Sequence, residues 1–403
     1  MGTSVDLNAG RRPGTAQGVA LLAATVLPIM GVVSLAPVLP RLLEVFGDQP
    51  NVHILVPVAL TAPGLCIALL SPVAGVLTDW LGRRTLLLAG LGLYLVCGLL
   101  PFFLSTLPQL IASRVGLGVA EAIIMTGTTT LMSDYFTDGE RQRWVAIQGG
   151  LGSLAGSVLF VAGGALGAIG WRWPFALYGL ALPIMIAVAA VIWEPKRRQV
   201  LDVARDAAKA PFPGRAMAVL ALTTVLCAVV FYLAVIQLGL VLQGIGVTSP
   251  ATIGAVTALG SLGVPIGAFV YSRLGRWSLG KLLALALVCT GAGLVGLGFS
   301  KSVPAVFAAT ALNQFGCGIL LPTLILWAMN TASLRWRGRV IGLWNGSFFI
   351  GQFLSPVSAA LIAKGAGLPT TLALFGGLTV LGAILAFALG RRTVMVGAHP
   401  KPI

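Results

Sequence analysis

Long uninterrupted apolar runs alternate along this chain with short polar segments, as at residues 18–40 and 110–132. The runs lack the strict two-residue alternation of a half-buried strand and the single apolar stripe of a surface helix. A helix crossing the hydrocarbon core of a bilayer needs about 20 such residues. The pattern predicts twelve crossing helices, at 18–40, 53–77, 85–104, 109–132, 144–168, 174–193, 216–240, 251–272, 280–299, 305–329, 340–362 and 370–390. The longest polar stretch, 194–215, carries Lys196, Arg197, Arg198, Asp202, Arg205, Asp206 and Lys209 and ends Pro211-Phe212-Pro213-Gly214. It reads as a cytoplasmic linker between six-helix bundles formed by residues 1–193 and 216–403.

A weak internal repeat supports that division. Ser113-Arg114-Val115-Gly116-Leu117-Gly118 in the fourth span is matched 200 positions later by Asn313-Gln314-Phe315-Gly316-Cys317-Gly318 in the tenth. Gly75 to Arg84, after the second span, has a degraded echo at Gly267 to Arg276, after the eighth. The expected fold is an all-α membrane protein with twelve transmembrane helices in two pseudo-symmetric six-helix bundles. Two parallel halves of this kind are a transporter architecture, with a binding site expected between them near mid-membrane.

Composition excludes the soluble classes. Hydrophobic residues make up 57% of the chain and charged residues 9%, against roughly 25% charged in a soluble domain. Such a chain cannot dress a water-facing surface, and twelve spans leave no room for a soluble catalytic domain. The first apolar run exceeds the 7–15 residues of a signal-peptide core and is expected to be an uncleaved helix.

The formal charge of +15 changes the picture only through its distribution. Of 26 basic residues, twenty-one fall on the side of the N-terminal tail. Four, Arg41, Arg172, Lys301 and Lys364, fall on the other, and Arg114 lies inside a span. Nucleic-acid binding would want one continuous basic face, so no nucleic-acid partner is expected. The asymmetry instead follows the positive-inside rule and places both termini in the cytoplasm of a cytoplasmic (inner) membrane.

Conventional enzyme chemistry finds no footing. The two histidines, His53 and His399, sit near segment edges and cannot build a zinc site or a triad. Cys66, Cys97, Cys227, Cys289 and Cys317 all lie in apolar runs without CxxC spacing, as small buried hydrophobes do. No Gly-Lys-Ser/Thr nucleotide loop is present. Nothing points to a required metal, cofactor or oligomer, so a monomer in the lipid bilayer is expected, with a small-molecule substrate and protons as its partners.

Charges inside the membrane are the sharpest signal. Of eleven acids only Glu121 falls mid-span, and Arg114 is the only mid-span base. Intramembrane ionisable groups are rare and usually functional. Seven residues are nearly two helical turns, so both side chains point to one face about 10 Å apart along the axis. That suits two sites on one water-filled cavity better than a direct pair. Desolvation penalises a charged carboxylate, which fits Glu121 to take up and release a proton. The bland alternative is a protonated glutamate bonded to neighbouring backbone or to Thr126. After Asp206 the chain contains no acid, so the second half cannot carry protons through a carboxylate. It offers Gln237, Asn313, Gln314, Trp344, Asn345 and Gln352 to orient a substrate, although each alone also fits interhelical hydrogen bonding.

The segment Gly75-Val-Leu-Thr-Asp79-Trp-Leu-Gly82-Arg83-Arg84 resembles the signature loop between helices two and three of the major facilitator superfamily, with Trp80 in place of the usual basic residue. Leu110-Ile-Ala-Ser-Arg114-Val-Gly116-Leu-Gly118 is similar to the arginine motif of the proton-coupled drug and metabolite exporters of that superfamily. Gly149-Gly-Leu-Gly152-Ser-Leu-Ala-Gly156-Ser157, followed by Gly163-Gly164 and Gly170-Trp171-Arg172-Trp173, resembles their glycine-rich antiporter motif, with Ser157 where a proline is typical. The resemblance implies secondary transport, proton-coupled efflux of a small amphipathic drug or metabolite, with uptake of a neutral or anionic nutrient as the alternative. It implies proton coupling at Glu121 and Arg114. It also implies a conformational gate of Gly75, Asp79, Gly82, Arg83 and Arg84, in which Asp79 faces Arg337 or Arg339 and Asp134 faces Arg83 or Arg84.

Overall fold

The computed structural model describes residues 13–195, 214–274, 277–331 and 336–390, and within these the side chains of Asp79, Asp138, Arg337 and Leu389 also lie outside the description. Twelve helices among the described residues are long and apolar enough to cross a membrane, in agreement with the hydropathy pattern. They are α1 (Thr15–Val45), α2 (Val52–Leu81), α3 (Arg83–Leu99), α4 (Leu107–Tyr135), α5 (Asp138–Ile169), α6 (Trp173–Val191), α7 (Gly214–Gly244), α8 (Pro250–Arg273), α9 (Leu279–Phe299), α10 (Val303–Thr331), α11 (Arg337–Ala366) and α12 (Leu368–Gly390). Most of the 194–215 linker lies outside the described residues.

Several helices outrun the apolar runs that announced them. α5 begins at Asp138 rather than near residue 144, because a helix keeps its backbone bonds after it leaves the hydrocarbon, where hydropathy no longer marks it. Local departures also occur. α1 tightens into a 3-10 turn at Ala36–Val38, beside Pro37 and Pro40. α6 opens as a 3-10 stretch, Trp173–Leu180, before becoming α-helical at Ala181. Neighbouring helices re-satisfy the backbone at such breaks.

Small residues set the helix spacing, and they give the internal repeat a physical cause. A Cβ at Gly116 would lie 2.7 Å from Cys97 Sγ of α3, and one at Gly118 would lie 2.6 Å from Pro63 Cα of α2. In the second half, a Cβ at Gly316 would lie 2.5 Å from the Thr290 backbone nitrogen of α9, and Gly318 abuts Val264 and Ala268 of α8. The repeated glycines thus seat α4 on α3 and α2, and α10 on α9 and α8, at the same register in each half.

The two halves meet at the end opposite the termini. There Gln243 Nε2 donates to Glu44 Oε1 at 2.9 Å, and Gly239 packs on Pro40 and Ala36. A Cβ on Gly164 of α5 would lie 2.5 Å from the Pro250 carbonyl and 3.0 Å from Gly254 Cα of α8. Nearer mid-depth the Ser157 and Ser261 hydroxyls share a hydrogen bond at 2.8 Å, and α2 meets α11 where Gly64 faces Gln352. At the terminal end, Cβ atoms on Gly149, Gly150, Gly338 or Gly342 would meet nothing within 4 Å. Among the described residues, the contacts named here between the halves lie at mid-depth and at the end opposite the termini.

Candidate transport site

Arg114 and Glu121 share one face of α4, as their spacing requires, and both are enclosed, at 0% and 1% exposure. The sequence places them on an open water-filled cavity. The structure instead covers Arg114 with aromatic rings from the 3-10 stretch of α6. Its Nη1 donates to the Tyr178 hydroxyl at 2.9 Å and its Nη2 to the Cys97 carbonyl at 3.3 Å. The guanidinium lies 5.0 Å from the Phe175 ring centroid and 4.9 Å from that of Tyr178. Cation–π contact and charge-assisted hydrogen bonding offset the cost of holding a cation in the membrane interior. Gly98 makes the room, since a Cβ there would lie 2.5 Å from Tyr178 Cβ. Tyr94 packs beside Tyr178 at 5.4 Å between centroids and donates to the Leu27 carbonyl at 2.6 Å, tying α3 to α1.

Glu121 faces α1. A Cβ on Gly31 would lie 2.9 Å from its Oε1, and that oxygen is buried without a hydrogen-bond partner. Thr126 does not bond it among the described residues. Neither does Arg114, so the two charges form no ion pair. A buried carboxyl oxygen lacking a partner is uncommon and asks for an explanation. Tyr232 of α7, from the other half, packs against the N-terminal core.

Tyr232 opens an aromatic group that the sequence reading largely missed. Phe231 and Tyr232 of α7 lie 5.6 Å each from Phe348 of α11, which stacks on Trp344 at 5.9 Å. Only Trp344 was legible beforehand, because one aromatic in an apolar run carries no signal of its partners. The buried Nε1 of Trp344 and the buried Oε1 of Gln352 both lack partners. Gln237 is buried and Asn345 half-buried on the same two helices. Asn313 and Gln314 are committed elsewhere. Asn313 Nδ2 donates to the Thr290 carbonyl at 2.9 Å, and Gln314 Nε2 donates to Asn313 Oδ1 at 2.9 Å. They join α10 to α9, as Arg114 joins α4 to α3 in the first half.

In the signature loop, Gly82 adopts φ +87, a conformation that only glycine takes without strain, and it breaks α2 from α3. Arg83 forms an ion pair with Asp134 of α4. Arg84 Nη2 donates to the Ala189 carbonyl at 2.8 Å. Glu194, read from sequence as the first residue of the linker, caps α3. Its two oxygens accept the Arg83 and Arg84 backbone N–H groups at 2.7 and 2.9 Å, where a carboxylate meets the positive end of the helix dipole. A Cβ on Gly75 would meet nothing within 4 Å. Arg339 stacks over Trp336 of its own segment at 4.8 Å. The Asp79 and Arg337 side chains, named for the other half of the gate, lie outside the described residues.

A twelve-helix bundle in two halves, closed at one end and holding enclosed ionisable groups at mid-depth, has the form of a membrane transporter. The model of the Major Facilitator Superfamily matches residues 21–332 and 220–402, and the chain belongs to that family. Its sequence is 25% identical over 355 residues to the class B tetracycline resistance protein of Escherichia coli, covering 83% of this chain and 86% of that protein. It is 27% identical over 168 residues to the multidrug efflux protein YfmO of Bacillus subtilis (strain 168), covering 42% and 41%. Over several of its curated relatives the match spans less than half of their length. Its fold is similar to that of a bacterial homologue of the human lysosomal transporter Spinster in an inward-facing and occupied conformation, with TM-score 0.75, 16% identity and coverage of 94% and 96%. It is also similar to the nucleoside transporter NupG, with TM-score 0.76, 10% identity and coverage of 93% and 99%.

Proposed function

We propose that this chain is a proton-coupled exporter that exchanges protons for a small amphipathic drug or metabolite by alternating access. The observation that carries the reading is Glu121, the only mid-span carboxyl, enclosed with an unpartnered oxygen between α1 and α4. A titratable group at that position feels any relative movement of the halves. Arg114 biases it through charge. Gln237, Trp344, Asn345, Gln352 and the Phe231, Tyr232 and Phe348 rings supply the apolar and polar contacts of a substrate site. The printed efflux and tetracycline-resistance roles of the relatives support the outward direction. In the competing uptake reading Arg114 holds a substrate carboxylate, but its guanidinium is covered by Tyr178 and Phe175. The protein acts as a monomer of an inner membrane, with six-helix domains at 1–193 and 216–403 and a cytoplasmic linker at 194–215. The basic asymmetry favours both termini in the cytoplasm, so the closed end described above is the outward one.

Direction is the first test. In inverted vesicles with an imposed inward-acid pH gradient, the protein is expected to accumulate an amphipathic probe such as tetracycline or ethidium, and collapse of the gradient is expected to release it. Accumulation of the probe in right-side-out vesicles with an acid exterior, and none in inverted ones, would establish uptake instead.

The gate gives a second prediction. In this reading the Arg83–Asp134 pair and the Asp79 charge favour one access state, so their loss shifts a two-state equilibrium without touching the substrate site. Asp79→Asn and Asp134→Asn should each lower turnover about tenfold or more while substrate affinity stays within a few-fold. Wild-type transport rates in both variants would remove the gate from the mechanism.

A further inference from the structure

Between α9 and α12, at the terminal end of the second half, lies an apolar groove of about 560 Å³. Its walls are Ala284, Val288, Ile384 and Phe387, and its mouth is Trp277 and Lys281. α9 and α12 pack on each other and on α7, α10 and α11 of their own half. Lys281, Val288 and Ile384 are exposed there.

The groove has the proportions of one lipid tail in one leaflet. From the start of α9 at Leu279 to Val288 is nine residues, about 14 Å of helix rise, which is nearly half of the roughly 30 Å hydrocarbon core. Tryptophan favours the headgroup level and lysine the phosphate beside it. The two helices that form the groove carry no acid, since the chain has none after Asp206. The Ser278 side chain does not cap α9, so the first-turn N–H groups beside Lys281 add to the positive potential. A zwitterionic lipid would satisfy the groove alone, whereas an anionic one also satisfies its mouth.

We propose that this groove seats one acyl chain of an anionic phospholipid, with the lipid phosphate held at Lys281. The site is structural and sits in the leaflet at the terminal end, so it is independent of substrate and coupling ion. Native mass spectrometry of the purified full chain tests it, with phosphatidylglycerol and phosphatidylcholine of identical acyl chains added in equal amounts. The wild type is expected to retain one phosphatidylglycerol at least about fivefold more often than one phosphatidylcholine. Lys281→Gln should bring the two lipids to parity. Ala284→Phe, which fills the groove, should reduce retention of both. Lys301→Gln, at the opposite end, should leave the preference intact. Equal retention of the two lipids by the wild type overturns the proposal, as does a preference that survives Lys281→Gln. Undiminished retention in the Ala284→Phe protein would also overturn it, because the headgroup would then bind without the groove.

Discussion

Glu121→Gln is expected to abolish uphill transport. In inverted vesicles under an imposed pH gradient, the ratio of substrate inside to outside should fall to about one, while downhill exchange of substrate persists. The substitution keeps the size and hydrogen-bonding capacity of the side chain and removes only its proton. The site leaves no substitute. Glu121 is the sole mid-span acid, the second half contains no carboxylate at all, and Arg114 is bound to Tyr178 and the Cys97 carbonyl. Antiport requires that proton and substrate be bound alternately, and a group that no longer titrates lets one access state be reached without the exchange. Binding of a neutral substrate should survive, whereas a cationic substrate should bind more weakly for want of the carboxylate. Uphill pumping with wild-type pH dependence in the glutamine variant would make Glu121 a packing residue and end the coupling mechanism.

Gly164→Val is expected to hold the protein away from the conformation described here. A Cβ at Gly164 would lie 2.5 Å from the Pro250 carbonyl and 3.0 Å from Gly254 Cα, both in the other half of the molecule. These are backbone atoms, which cannot swing aside as a side-chain tip can. Overpacking of this kind costs about 1–3 kcal/mol, and here it is felt only while the end opposite the termini is closed. Each 1.4 kcal/mol is a factor of ten in population, so the closed-end state should lose roughly tenfold to a hundredfold in weight. Cysteines at Ser157 and Ser261, whose hydroxyl oxygens are 2.8 Å apart, report that closure through a short thiol crosslinker in a protein lacking its five native cysteines. The crosslinking yield should fall sharply in the Gly164→Val background, and turnover with it, while the purified protein still elutes as a single species. An unchanged yield and rate would mean that the glycine contact is incidental to the cycle.

The amino-acid sequence alone determined the twelve spans, because transfer into a bilayer is a local and nearly additive property of some 20 consecutive residues. It determined that Arg114 and Glu121 share a face, because helical periodicity is equally local. The repeated glycines at Gly116 and Gly118 and at Gly316 and Gly318 were legible for the same reason, and the structure explains them as the seats of corresponding helix pairs. What the tertiary structure decided involves residues that meet only after packing. Tyr178 and Phe175 close over Arg114 from some sixty positions away. Glu194, the first residue of the expected linker, caps α3 across 111 positions. Asn313, chemically as fit for a ligand as Gln352, is turned to the Thr290 carbonyl, while the Gln352 oxygen is left unpaired. Which end of the bundle is closed follows from the approach of Gly164 to Gly254 and of Ser157 to Ser261. That approach depends on how the two six-helix halves lean together. Hydropathy is blind to it because every helix involved is equally apolar whether it faces its partner half or the lipid.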